Sequence, residues 1–216
     1  MLVFRSRRAG NFDVVARNLT TNQETVLTRT PEDDVPVISP DGSRIATARD
    51  PSGIGLIRPG SPPQREWLQH SGYGVFNARL SSDGRWVAVN ARSNSRAPAQ
   101  VLIARVLDSS VASESEWITV SEDGDAPAWS PDARLLYFWS NRDGSPCLWA
   151  QRLDRGTKKP TGSPIAIHRF HSRGLSWRNL YLGAPDIAVT HDKIVFNLGE
   201  HSGNVWLTDL PPAGGR

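Results

Sequence analysis

The sequence predicts an all-β fold, a β-propeller of about five small four-stranded antiparallel blades, and three observations predict it. A short phrase recurs as Ser39-Pro40-Asp41-Gly42-Ser43-Arg44, Ser81-Ser82-Asp83-Gly84-Arg85-Trp86 and Ser130-Pro131-Asp132-Ala133-Arg134-Leu135. Its aspartates stand 42 and then 49 residues apart, close to the roughly 40–50 residues of one propeller blade. Each phrase lies between apolar, strand-like runs, and nowhere does a capped run carry apolar residues at helical spacing over three turns.

Each unit can be justified strand by strand. In the recurring phrase Pro presets its φ, Asp bonds the backbone ahead and Gly accepts a positive φ, so the phrase is a tight turn between two antiparallel strands. Ile45-Ala46-Thr47, Trp86-Val87-Ala88-Val89 and Leu136-Tyr137-Phe138 follow it, the β-branched and aromatic mixture that a half-buried pleated strand favours. After a hairpin tip come third strands at Gly55-Leu56-Ile57, Val101-Leu102-Ile103 and Leu148-Trp149-Ala150. Shorter outer strands are expected at Glu66-Trp67-Leu68, Trp117-Ile118-Thr119 and Ile165-Ala166-Ile167, and the polar stretch from Ser109 to Glu116 reads as a loop.

The count follows from the spacing. Full units fall at about 31–69, 70–120 and 121–170, a leading unit at 2–30 lacks its first strand, and a trailing unit at 182–210 lacks its last. A degenerate fourth phrase, Val189-Thr190-His191-Asp192-Lys193-Ile194, comes 60 residues after Asp132, so an insertion is expected at 172–181. A single domain over 1–210 results, with 211–216 (Pro-Pro-Ala-Gly-Gly-Arg) as a disordered tail.

Composition narrows the function classes. Hydrophobic residues at 38% and charged residues at 22% suit a turn-rich chain that folds. The net charge of +3 comes from basic residues spread along the chain, whereas a nucleic-acid footprint is a concentrated patch, so no nucleic-acid partner is expected. Cys147 is the single cysteine, and no Cys/His spacing of the zinc type accompanies it, so no metal and no cofactor are expected. No run approaches the roughly 18 apolar residues of a membrane helix. Met1 to Gly10 lacks a signal-peptide core. The chain therefore reads as soluble and cytoplasmic as written, or as envelope-located if it is a piece of an exported protein.

The phrases resemble the TolB-like, or WD-like, repeats of the TolB propeller, of the propeller domains of prolyl-oligopeptidase-type peptidases and of bacterial multidomain proteins. The resemblance covers most of residues 2–210. It implies a repeat protein that binds a protein or peptide, and it departs from the family pattern at Ser82, Ala133 and His191. Propellers of this type usually have six blades or more, so the resemblance implies an incomplete or fragmentary ring. Its open terminal blades leave both a monomer and a homodimer as expectations.

Partner-binding residues are sought on the face shared by the loops leading into each first strand and the hairpins between second and third strands. The insertion offers Arg173, Trp177, Arg178, Asn179 and Tyr181, and the hairpin tips offer Arg7, Arg8 and Arg142; exposed aromatic and arginine side chains are common interface anchors. Trp86, Trp129, Trp139, Trp149 and Trp206 sit at strand positions and read as wedges between blades. His168 and His171 lack a third ligand, while His70, His191 and His201 read as surface-loop residues. The turn explains Asp41, Asp83 and Asp132. No nucleophile elbow or phosphate-binding glycine loop occurs, so no catalytic residue is assigned. Asp33, Asp34, Glu122, Asp123 and Asp186 are the acids from which a sugar-cleaving pair would have to come. The leading reading is a non-catalytic scaffold; a small five-bladed carbohydrate-active enzyme or lectin, and a detached sensor propeller of a larger protein, are the alternatives.

Overall fold

The computed structural model describes residues 1–7, 10, 13–28, 33–49, 53–60, 64–107, 112–170, 175–176 and 186–200. Strands dominate, as the repeat predicts. The first blade has three, β1 (Leu2–Ser6), β2 (Asp13–Arg17) and β3 (Glu24–Val26). The second holds β4 (Asp33–Ile38), β5 (Ile45–Arg49), β6 (Ile54–Arg58) and β7 (Gln64–Leu68). The third holds β8 (Gly74–Leu80), β9 (Trp86–Arg92), β10 (Gln100–Arg105) and β11 (Ile118–Ser121), and the fourth β12 (Asp125–Trp129), β13 (Leu135–Ser140), β14 (Cys147–Leu153) and β15 (Pro160–His168). A fifth, partial blade pairs β17 (Ile187–Val189) with β18 (Ile194–Phe196), and β16 (Leu175–Ser176) with β19 (Gly199–Glu200). All pairings are antiparallel between chain neighbours except β16 with β19. The inner strands β4, β8, β12 and β17 touch in succession. The described strands thus form an incomplete propeller ring.

The recurring turn is built the same way each time. Ser39, Ser81 and Ser130 each donate their hydroxyl to Asp41, Asp83 and Asp132 at 2.6, 2.7 and 2.7 Å. The same hydroxyls accept the backbone N–H of Arg44, Trp86 and Leu135 at 3.0, 3.0 and 2.9 Å. Each carboxylate then accepts a backbone N–H two residues on, from Ser43, Arg85 and Arg134. Gly42, Gly84 and Ala133 take the left-handed conformation at φ 74, 65 and 52°, so the turn survives the loss of its glycine in the fourth blade. In the degenerate copy Thr190 replaces serine and donates to Asp192 at 2.9 Å.

The core sits between blades. Val14, Ile45 and Ile57 join the first and second; Ile54, Leu56, Val87 and Val89 the second and third; Val101, Ile103, Leu136 and Phe138 the third and fourth; Trp139, Leu148 and Ile187 the fourth and fifth. Strand alternation sends successive residues to opposite neighbours: Val87 and Val89 pack towards the second blade, Ala88 towards the fourth. Each fully buried aliphatic or Phe side chain contributes about 1.5–3 kcal/mol relative to an exposed one. Trp129, Trp139 and Trp149 are buried in these wedges and Trp86 packs against one; Trp206 lies outside the described residues.

Two details differ from expectation, and a third bears on the insertion. The outer strand β15 has nine residues and is the longest in the fold, not a short one. Its exposed positions and a bulged pairing with β14 let it run past its neighbour. Within the expected loop, Glu114–Glu116 forms one 3-10 turn closed by a Ser113/Glu116 capping box, which leaves Trp117 just before β11. The third concerns the insertion. The inner strands β4, β8 and β12 each carry a bulge, at Asp34/Val37, Phe76/Arg79 and Asp125/Ala128. In the fifth blade Ser176 pairs with Gly199 and Ile187 with Phe196, and most of the expected insertion at 172–181 lies outside the described residues. No helix among the described residues is long and apolar enough to cross a membrane.

Candidate functional site

The loops leading into the inner strands and the β9–β10 and β13–β14 hairpin tips lie at one end of the sheets, and there a cavity of about 670 Å³ opens at the seam of the third and fourth blades. The β9–β10 tip supplies one wall. Asn94 shapes it, its side-chain oxygen accepting the backbone N–H groups of Arg96 and Ala97 at 2.9 and 3.0 Å, a side-chain-closed turn that presents Arg96 to solvent. Asp123, Gly124 and Asp125 supply the floor, and Ser140 and Asn141 the far wall.

Seam and floor are locked together by Asn90. This side chain is fully buried in β9; its Nδ2 donates to the Gly124 carbonyl at 2.9 Å and its Oδ1 accepts the Ala126 N–H at 2.9 Å. The Gly124 N–H in turn donates to the Ala99 carbonyl at 2.7 Å. A buried amide with all its strong partners in place fixes the relative position of two blades, because leaving any of them unpaired is costly.

Two arginine arrangements flank the floor, and they differ. Arg142 Nη2 donates to Asp123 Oδ1 and to Ser121 Oγ, both at 2.6 Å, and its Nε to Ser140 Oγ at 3.0 Å. Ser140 donates onward to Asp123 Oδ2 at 2.6 Å. The Arg142 guanidinium also lies over the Phe138 and Trp149 rings, 5.3 and 5.1 Å from their centroids. Its Nε and Nη2 donors are used inside the protein. Arg92 sits over Phe76 at 5.1 Å, with Nη2 3.6 Å from Asp125 Oδ2, beyond hydrogen-bond reach, and its buried Nε has no hydrogen-bond partner among the described residues. Arg96 makes no ion pair among the described residues.

Of the residues expected to bind a partner, Arg142 is the internal strut just described and Arg7 is exposed just past β1. Arg8, Arg173, Trp177, Arg178, Asn179 and Tyr181 lie outside the described residues. Among the candidate acids, Asp123 is held by Arg142, Asp186 accepts Arg79 at 2.6 Å, and Glu122 is exposed; the side chains of Asp33 and Asp34 lie outside the described residues. His70 is not a surface-loop residue: it is 15% exposed, edge-on to Tyr73 and Trp117 at 4.8 and 5.0 Å. Its Nδ1 accepts the Gly72 N–H at 3.0 Å. His191 is exposed, and His168 stacks near Phe170 at 4.4 Å; His171 and His201 lie outside the described residues. Cys147 is buried, and burial pushes its thiol up, away from the thiolate that a nucleophile needs. Arg92, Arg96 and Asp125 were not singled out from the sequence. The available signal was Asn90, a polar residue in the run Trp86-Val87-Ala88-Val89-Asn90-Ala91.

No protein-family model matches this chain, and neither does any curated protein. Solved structures do. TolB from Acinetobacter baumannii superposes with a TM-score of 0.59 at 14% identity, over 92% of this chain and 49% of that one. The oligogalacturonate lyase of Vibrio parahaemolyticus gives 0.57 at 13% identity, over 81% of this chain and 50% of that one. The tricorn protease gives 0.56 at 11% identity, over 71% and 17%. The chain spans about half the length of the first two and less of the third. At these identities the likeness is one of fold, a TolB-like β-propeller.

Proposed function

Starting from that TolB-like propeller fold, we propose that the chain is a non-catalytic scaffold that binds a protein or peptide partner at the seam of its third and fourth blades. The observation that carries the reading is the cavity of about 670 Å³ whose floor is rigid backbone and whose acids already face arginines. General acid–base chemistry on a glycosidic bond requires two carboxyl groups free to face the substrate. Here Asp123 accepts from Arg142 and from two serines, and Asp125 accepts its own neighbour's N–H from Ala126 at 2.8 Å while facing Arg92. Trp139, which forms part of the lining, is wholly buried, so it offers no platform for a sugar ring. What remains accessible is a concave surface of backbone, small side chains, arginine and the Arg142-held Asp123, which suits an extended polypeptide.

Because Cys147 is the single cysteine and is buried, a cysteine introduced at Ser95 in the cavity wall carries a photo-crosslinker at one known place. The expected result is a discrete polypeptide captured from cells by Ser95→Cys and not by Arg155→Cys in the β14–β15 connection. Capture of the same species by both variants, or shortening of oligosaccharides by the unlabelled chain, would overturn the reading.

A further inference from the structure

Resting on the seam cavity as the binding site, we infer that its ligand is an acidic peptide segment, whose carboxylate is received by Arg92 and Arg96. The inference comes from the contrast between the three arginines around one floor. Arg142 commits its Nε and Nη2 donors to Ser140, Ser121 and Asp123. Arg92 is equally well positioned, stacked on Phe76, yet forms no side-chain hydrogen bond among the described residues, and its nearest acid stands off at 3.6 Å. Its buried Nε is out of a ligand's reach, but a guanidinium with a fixed plane and unbonded Nη donors is pre-organised for a planar carboxylate. Arg96 stands across the same cavity on the Asn94-closed turn, exposed and without an ion pair among the described residues. Arg96 therefore has no acid paired with it among the described residues, and Arg92 meets Asp125 only at ion-pair distance, with no hydrogen bond between them.

A carboxylate reaches such a site on a polypeptide or on an acidic sugar, and the cavity favours the polypeptide. Its wall at Ala97, Pro98 and Ala99 is small and aliphatic, and its one aromatic, Trp139, is buried. A sugar ring would find no exposed face to stack on, whereas an extended chain needs only a smooth wall and anchoring charges.

The test is fluorescence anisotropy of a fluorescein-labelled hexaglutamate peptide with the whole chain, beside a matched hexaglutamine peptide. Hexaglutamate is expected to bind at least about tenfold more tightly than hexaglutamine, and Arg96→Ala to remove about tenfold of that affinity. Arg92→Gln should weaken binding similarly. Arg155→Ala, which removes a charge in the β14–β15 connection, should change it less than about twofold, separating the site from general attraction to a chain of net charge +3. Arg96 is exposed, so its variant keeps the test decisive even where Arg92→Gln lowers stability. Equal binding of the two peptides, or indifference to Arg96→Ala, overturns the inference. Displacement of hexaglutamate by trigalacturonate at equal concentration would give the site to an acidic sugar. If Ser95→Cys captures a polypeptide and Arg96→Ala leaves that capture intact, the carboxylate is wrong while the seam remains the binding site; loss of capture altogether removes the site itself.

Discussion

Asn90 and Gly124 belong to different blades, and the Asn90 amide donates to the Gly124 carbonyl at 2.9 Å. Gly124 is required there for space: a Cβ would stand 2.7 Å from Val101 Cγ2 and 3.0 Å from Phe138 Cδ2, both in fully buried side chains. Gly124→Ala is therefore expected to destabilise the chain by about 1–3 kcal/mol through overpacking. Asn90→Ala strands the Gly124 carbonyl and leaves the Ala126 N–H to Asp125 alone, with a cost on the order of 1–3 kcal/mol. Urea denaturation measures both. Because a shift of Gly124 away from Val101 and Phe138 also disturbs the Asn90 hydrogen bond, the double variant should lose less than the sum of the singles.

The repeated turns make stability sensitive to acid. At Asp132 the Ser130 hydroxyl, set against burial and aided by the Arg134 N–H, holds the carboxyl below its usual range. At Asp41 and Asp83 burial pushes upward, but the serine hydroxyl and backbone donors outweigh it, and both carboxyls also end up lowered. A carboxyl lowered by folding stabilises the native state above its unfolded pKa, near 3.9, and that contribution is lost as pH falls through the folded value. The urea midpoint should thus hold steady from pH 7 to 5 and fall below about pH 4. Asp132→Asn should flatten that fall; an unchanged slope would show that the turn carboxylates do not drive it.

These turns also explain how much could be read from the sequence. The lock is made by the serine hydroxyl and the aspartate, so Ser82 in place of proline and Ala133 in place of glycine leave it standing. The repeat therefore remains legible through its substitutions. The fifth blade is harder because its turn phrase is degenerate and its β16–β19 and β17–β18 pairings are short. The site is harder still. Arg142 and Arg96 both look like exposed charges on hairpin tips, and only the positions of Ser121, Asp123 and Ser140 show that Arg142 is held by internal hydrogen bonds.

Arg142 is expected to behave as a strut. Arg142→Ala removes three hydrogen-bond connections and two ring contacts, leaving Asp123 with its serines alone. The guanidinium is 21% exposed and Asp123 40%, so solvent screens part of the pair and the cost should be about 1–3 kcal/mol rather than the larger loss of a fully buried pair. Arg142→Lys should recover less than half of it, since an ammonium neither forks between three oxygens nor stacks flat on Phe138. Peptide binding measured on the folded Arg142→Lys protein should change far less than in Arg96→Ala.

The partial fifth blade depends on an aromatic triangle. Trp139 is fully buried at the end of β13, and Phe170 and Phe196 stand 5.6 and 5.5 Å from it and 5.5 Å from each other. Phe196 carries β18 into the wedge where Ile187 is also buried against Trp139 and Leu148 and Ile194 packs beside it; the ion pair from Arg79 in the third blade to Asp186 involves a carboxylate 64% exposed and contributes little. Removing the ring in Phe196→Ala costs the transfer energy of a half-buried aromatic plus its edge-to-face contacts, about 2 kcal/mol. The complete blades share their own wedges, in which Phe196 takes no part. The loss should therefore be local: amide exchange should accelerate across Ile187–Val189 and Ile194–Phe196 while protection in β9, β10 and β14 stays at its wild-type level. Uniform loss across all blades would mean that the fifth blade is an integral part of one cooperative unit and not a unit docked through Phe196.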